Sequence, residues 1–329
     1  MALLDQWSPG NAPYDAAVLV IIISIMLTGI AIGVGRAFQN RKIEHWGRDE
    51  LLQAFVNGAI VGGLIGLVAV MNASITSLVP TGTTLLCPMT GNSATAIGFA
   101  QCYIEDLGTK VFNLSTVLLE VNAIVGFITS IGISFIITVN PFSGLAPIGS
   151  LIGTIIETLY LFYTALQAQY SLLYFIAASA LTTFLPVGLI LRCFFATRRL
   201  GGALIAMAIG MYVVFPLTFV LDYQSVAAMN QHISDSQTAL DNFKSNFSYV
   251  TGLDLGSAGA ANSLVGGLTS GGIYDAINGF VKALTAVQAD LVVQVLILPL
   301  VGLIITAISI RELAGVLGSE IGLGGFDVL

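Results

Sequence analysis

Long apolar runs alternate with short polar breaks along this 329-residue chain. A helix crossing a hydrocarbon core of about 30 Å needs about 20 apolar residues. Seven runs approach that length: 16–34, 54–70, 116–139, 150–166, 172–191, 201–221 and 291–310. Backbone polar groups in lipid need partners within their own segment, so these runs predict helices. A β-barrel would show short alternating segments instead. The expected fold is an all-α polytopic membrane bundle of about seven transmembrane helices. Residues 151–191 read as one apolar stretch, but a single helix of that length would extend about 60 Å. The polar residues Gln167, Gln169 and Tyr170 divide it into two expected spans. Between the first two runs, Arg41 to Gln53 mixes both charge signs with Ile43, Trp46, Leu51 and Leu52. This predicts either a short interfacial helix with Trp46 at headgroup depth or a solvated linker.

The basic residues orient the bundle. Arg36, Arg41, Lys42, Arg48, Arg192, Arg198, Arg199 and Arg311 lie beside the ends of runs that an alternating count puts on one side. Lys110, Lys244 and Lys282 fall on the other. Cytoplasmic loops carry the excess of Lys and Arg, so the N-terminus is expected outside and the C-terminus inside. Two long extracellular loops follow, 72–115 and 222–290. In the second, Met229, Ile233, Leu240, Phe243 and Phe247 suggest an amphipathic helix, and residues 252–272 are rich in Gly, Ala and Ser. Ile273, Ile277, Phe280, Val281 and Leu284 then keep helical spacing, and that helix is expected to run into the last span. Asp5 and Asp15 precede the first run and Arg36 follows it, which predicts an uncleaved first helix in a multi-pass plasma-membrane protein.

Composition changes the picture in one respect. The chain is 56% hydrophobic and 9% charged, against about 25% charged in soluble domains. Lipid must solvate most of its apolar surface, which excludes a water-soluble enzyme. No phosphate loop, HExxH or GxSxG pattern occurs. No catalytic activity, cofactor or metal is expected. Carboxylates outnumber lysines on the expected outer side, a poor groove for nucleic acid.

Several residues are candidates for specific roles. Cys87 and Cys102 share the first outer loop, where oxidising conditions permit a disulfide; a zinc site is the alternative, although no His or further Cys accompanies the pair. His45 and His232 fall on opposite sides. Asn72, Asn113 and Asn246 begin glycosylation triplets. Gly58, Gly62 and Gly66 share one helical face, as do Gly29 and Gly33, and Gly202, Ala206 and Gly210. Such faces let helices approach closely, within one subunit or between copies. Glu157 and Glu120, with Asn57, offer a polar path for an ion or small molecule; the alternative for Glu157 is a hydrogen-bonded interior acid. Pro186, Gly188 and Pro216 predict kinks.

Two segments carry a resemblance. They are Phe184-Leu-Pro-Val-Gly-Leu-Ile-Leu-Arg-Cys-Phe-Phe-Ala-Thr-Arg-Arg-Leu-Gly-Gly-Ala-Leu-Ile-Ala206, continuing to Phe215-Pro216, and Arg48-Asp-Glu-Leu-Leu-Gln-Ala54. Both resemble CedA-type membrane proteins of archaeal DNA import, a family similar to the TrbL-type inner-membrane subunit of bacterial type IV secretion. The resemblance implies a homo-oligomeric channel or platform in lipid, with a separate conjugation-type ATPase, pilin-like small membrane proteins and DNA in transit as partners. It would place Arg192, Arg198 and Arg199 at the cytoplasmic mouth, in reach of phosphates; ordinary positive-inside anchoring is the other reading of these three. The acidic exterior departs from a DNA-gripping surface and suits loops that contact pilin. A small-molecule or ion transporter is the alternative function.

Overall fold

Among the described residues six helices, not seven, are long and apolar enough to cross a membrane, which makes the chain a multi-pass membrane protein. The structure, a computed structural model, describes residues 12–78, 95–130, 133–134, 138–139, 146–192, 197–223, 230–241 and 272–318. In chain order the helices are α1 (Ala12–Ala37), α2 (Arg41–Leu78), α3 (Ala96–Ser130), α4 (Ala146–Ser179) and α5 (Leu185–Arg192). Then come α6 (Arg198–Ile209), α7 (Phe215–Asp222), α8 (residues 230–241), α9 (Gly272–Leu291) and α10 (Leu298–Val316). Among the described residues, β structure is confined to a small antiparallel ladder of β1 (Ile133–Ser134) and β2 (Thr138–Val139), paired Ile133 to Val139 and Ser134 to Thr138.

The expected fourth and fifth spans are one helix. Residues Ala146–Arg192 run for 47 residues, about 70 Å at 1.5 Å per residue. Gln167, Gln169 and Tyr170 do not break it, because Gln is a good helix former and none of the three is buried. The expected third span, 116–139, also moves. Its helix starts at Ala96 and ends at Ser130. The early start follows from a 3–4 spacing of buried residues that begins well before 116: Ala100, Ile104, Leu107, Val111, Leu114, Leu118, Val121 and Val125. Two side chains cap its first turn. Gly98 N–H donates to Thr95 Oγ1 at 3.1 Å, and Ala96 N–H donates to Asn72 Oδ1 at 3.2 Å. Much of the loop expected over 72–115 is therefore helical.

Prolines shape the long helices without ending them. Pro186, Pro216 and Pro299 each follow a π-helical turn: Ala180–Phe184, Gly210–Val214 and Val292–Ile297. A proline inside a helix lacks an N–H and pushes on the carbonyl four residues back. One wider turn just ahead of it absorbs both defects. The expected kinks at Pro186 and Pro216 thus take the form of π turns. The third such turn joins α9 to α10, as the expected run of that helix into the last span requires.

Contacts divide the chain into two units. The first comprises Met1–Ile104, Gln169–Tyr223 and Pro299–Leu329, and the second Glu105–Ala168 and Gln224–Leu298. In the first unit, α1 and α2 form an antiparallel hairpin. Gln39 turns it with φ 50°, and Lys42 N–H donates to Asn40 Oδ1 at 3.1 Å, capping α2. The buried seam of α2 alternates by three and four: Glu50, Ala54, Asn57, Val61, Leu64, Val68, Met71 and Ile75. Small residues of α1 face it, with Ala17, Ser24 and Thr28 buried. A Cβ at Gly35 would fall 2.8 Å from Glu44 N, and one at Gly47 would fall 2.7 Å from Ile32 Cγ1.

The second unit is held by polar clamps around α8. Lys110 Nζ donates to Asp106 Oδ2 at 2.6 Å and to Asn230 Oδ1 at 2.9 Å. His232 Nδ1 bonds Asp290 Oδ2. The amphipathic helix expected here is present over 230–241, with Ile233, Ser236 and Leu240 buried. Met229, Phe243, Phe247 and residues 252–271 lie outside the described residues. The Phe280, Leu284, Val287 and Leu291 face of α9 is buried.

Glycine faces separate into used and unused. Gly202, Ala206 and Gly210 are buried, and a Cβ at Gly210 would collide with Ile310. By contrast, a Cβ at Gly29, Gly33, Gly58, Gly62 or Gly66 would meet nothing within 4 Å. Packing among the described residues therefore does not account for these five. The tightest approach to another backbone among the described residues is one that spacing did not single out: a Cβ at Gly201 would fall 2.5 Å from Arg192 N and 2.6 Å from Gly188 O. Gly201→Ala should cost about 1–3 kcal/mol through forced backbone shifts, whereas Gly62→Ala should be neutral or gain up to about 1 kcal/mol from helix propensity. Thermal denaturation of the two variants in detergent reads the difference; equal shifts would contradict the α5–α6 contact.

Candidate functional site

Two helical hairpins of the first unit bring their turns to one end. The α1–α2 turn carries Arg36, Arg41, Lys42 and Arg48. The link between α5 and α6 is flanked by Arg192, Arg198 and Arg199. Arg198 Nη2 pairs with Glu50 Oε2 across 148 residues of sequence and so ties the two turns together. Glu50 is 5% exposed. It starts the buried seam of α2, which is why its carboxylate turns inward. Arg36 and Arg48 both reach Glu44 Oε1, at 3.2 and 2.7 Å, on the exposed side of the hairpin.

The three arginines expected to act alike do not. Arg199 is exposed. Arg198 is neutralised by Glu50. Arg192, in the last turn of α5, is 5% exposed, and its Nε and Nη1 are buried without hydrogen-bond partners. Arg198 lies near enough to act on it as a like charge. The close Gly188–Gly201 crossing sets this geometry, because it presses the Arg192 backbone against the first turn of α6. Thr197 Oγ1 donates to Leu191 O at 2.7 Å and leaves that turn without a side-chain cap. The adjacent Gly201-Gly202 pair was the sequence signal for this contact, masked by the longer Gly202, Ala206, Gly210 pattern.

Other expected sites disperse. Asn57 is buried in the first unit, and its Oδ1 has no partner. Glu157 and Glu120 belong to the second unit and are exposed. Glu157 is therefore no interior acid of this chain, and the three residues do not line one path within either unit. Asn72 is committed to capping α3, so it is a poor glycan acceptor; Asn113 is exposed but lies within α3; Asn246 lies outside the described residues. Cys102 is buried and disulfide-bonded; Cys87 and Cys193 lie outside the described residues. Arg311 stands apart from the other basic residues. Ile310 meets Gly210, midway along the α6–α7 helix, and Arg311 is exposed beside it. Among the described residues, no group of His, Cys, Asp and Glu is placed to hold a metal.

The fold and this arginine-rich end define a polytopic helical membrane protein with a partly buried ion pair between two hairpin turns. No family model, curated protein or solved structure matches the chain.

Breaking the pair is costlier than losing it. Glu50→Gln leaves Arg198 without its counter-ion and should destabilise the chain by about 3 kcal/mol. Adding Arg198→Gln to that variant should recover a large part of the loss. A double-mutant cycle on thermal midpoints in detergent checks this; additive losses would mean that the pair carries no coupling.

Proposed function

We propose that this chain is the membrane platform or channel subunit of a DNA-transfer machine related to type IV secretion, driven by a separate ATPase. One observation carries the reading. The two segments that bear the resemblance, 48–54 and 184–206, are far apart in sequence, yet Glu50 of one pairs with Arg198 of the other. Within the second segment, Gly188 and Gly201 hold Arg192 against α6. The resemblance therefore falls on one physical site rather than on scattered apolar residues. Its cationic end is suited to meet phosphates, and its counterparts are further copies of the chain, pilin-like proteins and the ATPase.

The same ion pair supports a revised membrane path. Glu50 and Arg198 lie at one end of the first unit, so an even number of crossings separates them. Two crossings fit: α2 and the later part of the Ala146–Arg192 helix. We read α3 as lying off the membrane, since its mean hydropathy of 1.3 is the lowest of the six candidates and it carries Glu105, Asp106 and Lys110. Five crossings remain, namely α1, α2, residues 169–192, α6–α7 and α10, and all five belong to the first unit. The contacts of Gly302 with Thr218 and Gly210 with Ile310 make α10 antiparallel to α6–α7, returning it toward the arginine end. The eight basic residues assigned inside all belong to the first unit, and Lys110, Lys244 and Lys282 to the second. This supports an external N-terminus and an internal C-terminus. The disulfide bond of Cys102 fits an extracellular start of α3. A transporter path through Glu157, Glu120 and Asn57 gains no support from their dispersal.

Two experiments test the proposal. In intact cells, Glu120→Cys and Asp241→Cys should react with a membrane-impermeant maleimide, and Arg199→Cys only after permeabilisation; the reverse pattern sinks the orientation. Cells lacking the chain should lose DNA transfer, while the purified chain alone in liposomes should move no ions or small solutes. Solute flux that Glu157→Gln abolishes would instead establish the transporter.

A further inference from the structure

Arg192 is the one guanidinium of the arginine end that is both 5% exposed and short of hydrogen bonds at two buried nitrogens. Glu50, the buried carboxylate of the arginine end, is taken by Arg198. A buried cation without a counter-ion is strongly unfavourable, so a second anion is called for. A second set of donors lies beside it. The α6 helix is 12 residues long and begins at Arg198 with no side-chain cap, because the Thr197 hydroxyl donates to Leu191 O. The first amides of a helix have no intrahelical partner, and the helix dipole favours an anion there. Gly201 in that first turn abuts the Arg192 backbone.

The surroundings select the anion. One candidate span ends at Arg192 and the next begins at Arg198, which is the depth of lipid headgroups. Beside them Val187 and Ile190 on α5 are 42% and 43% exposed, and Leu200 on α6 is 56% exposed. A ligand with one phosphate and attached acyl chains satisfies both halves: oxygens for the guanidinium and the amides, hydrocarbon for the three apolar side chains. A nucleic-acid strand offers the same phosphate but nothing for Val187, Ile190 and Leu200. We propose that Arg192 and the first turn of α6 bind the phosphate of an anionic phospholipid.

The test uses the full chain in nanodiscs of phosphatidylcholine, with or without phosphatidylglycerol. Phosphatidylglycerol should raise the thermal midpoint and should survive delipidation in preference to phosphatidylcholine. Arg192→Gln should lower that retention roughly tenfold, the loss of a charge-assisted bidentate contact, with Arg192→Lys intermediate and Arg199→Gln unchanged. Equal retention in Arg192→Gln and the unmodified chain overturns the proposal, as does a loss confined to Arg199→Gln. If Arg192→Gln does not fold, the unmodified chain decides: no preference for phosphatidylglycerol over phosphatidylcholine overturns it. Stabilisation by a short single-stranded oligonucleotide without any by phosphatidylglycerol would assign the phosphate to nucleic acid and overturn it as well.

Discussion

The ion pair between Glu50 and Arg198 joins two hairpin turns that no local interaction would bring together. Its contribution is to register more than to net stability. Desolvating a carboxylate and a guanidinium offsets most of their attraction, so such a pair is weak support for a fold but a strong penalty on any alternative that separates its partners. Hydrocarbon sharpens that penalty. Apolar helices in lipid have no hydrophobic drive to prefer one neighbour or one axial offset over another, so polar contacts and close backbone approaches decide between otherwise similar packings. Here the pair sets the level of α2 relative to α6. The Gly188–Gly201 contact then sets α5 against α6. The contacts of Gly210 and Gly302 in turn set α10.

Helix continuity is the second constraint. A chain that spends 47 residues in one helix must carry its prolines without breaking. Each of the three π turns sits just ahead of a proline and restores the ladder within about one turn. All three prolines are buried. Burial is compatible with the missing N–H because proline leaves no orphan donor of its own, and the widened turn accommodates the carbonyl it displaces.

Much of this was legible in the residue pattern, and what was not has a common cause. Apolar runs gave the helical class, and helical spacing at Ile273, Ile277, Phe280, Val281 and Leu284 gave the passage into the last helix. Hydropathy gave these helices but not their bounds: the run at 116–139 belongs to a helix that starts at Ala96 and ends at Ser130, and the run at 150–166 continues as one helix to Arg192. Division at Gln167 failed because polarity does not end a helix; an absent propensity or a cap does. The small-residue faces were visible, but not which of them the chain itself covers, since Gly62 and Gly210 carry the same local signal and only tertiary contact tells them apart. The same holds for Arg192, Arg198 and Arg199. Their spacing is that of any inner membrane edge, and the inward turn of Arg192 follows from a glycine contact nine residues downstream.

Charge separation connects these features to the proposed activity. The second unit carries nine carboxylates against three lysines, while eight of the eleven basic residues fall in the first. A polyanion would meet attraction at the arginine end and repulsion beside the acidic unit. Attraction at one end alone assists entry or release there, whereas attraction along the whole route would hold the strand in place. Within that scheme the arginines divide the work by burial. Arg199 is exposed. Arg198 is spent on Glu50 and on the register of the helices. Arg192, enclosed and short of partners, suits a resident anion better than a transient one, because repeated desolvation of its guanidinium would oppose each encounter.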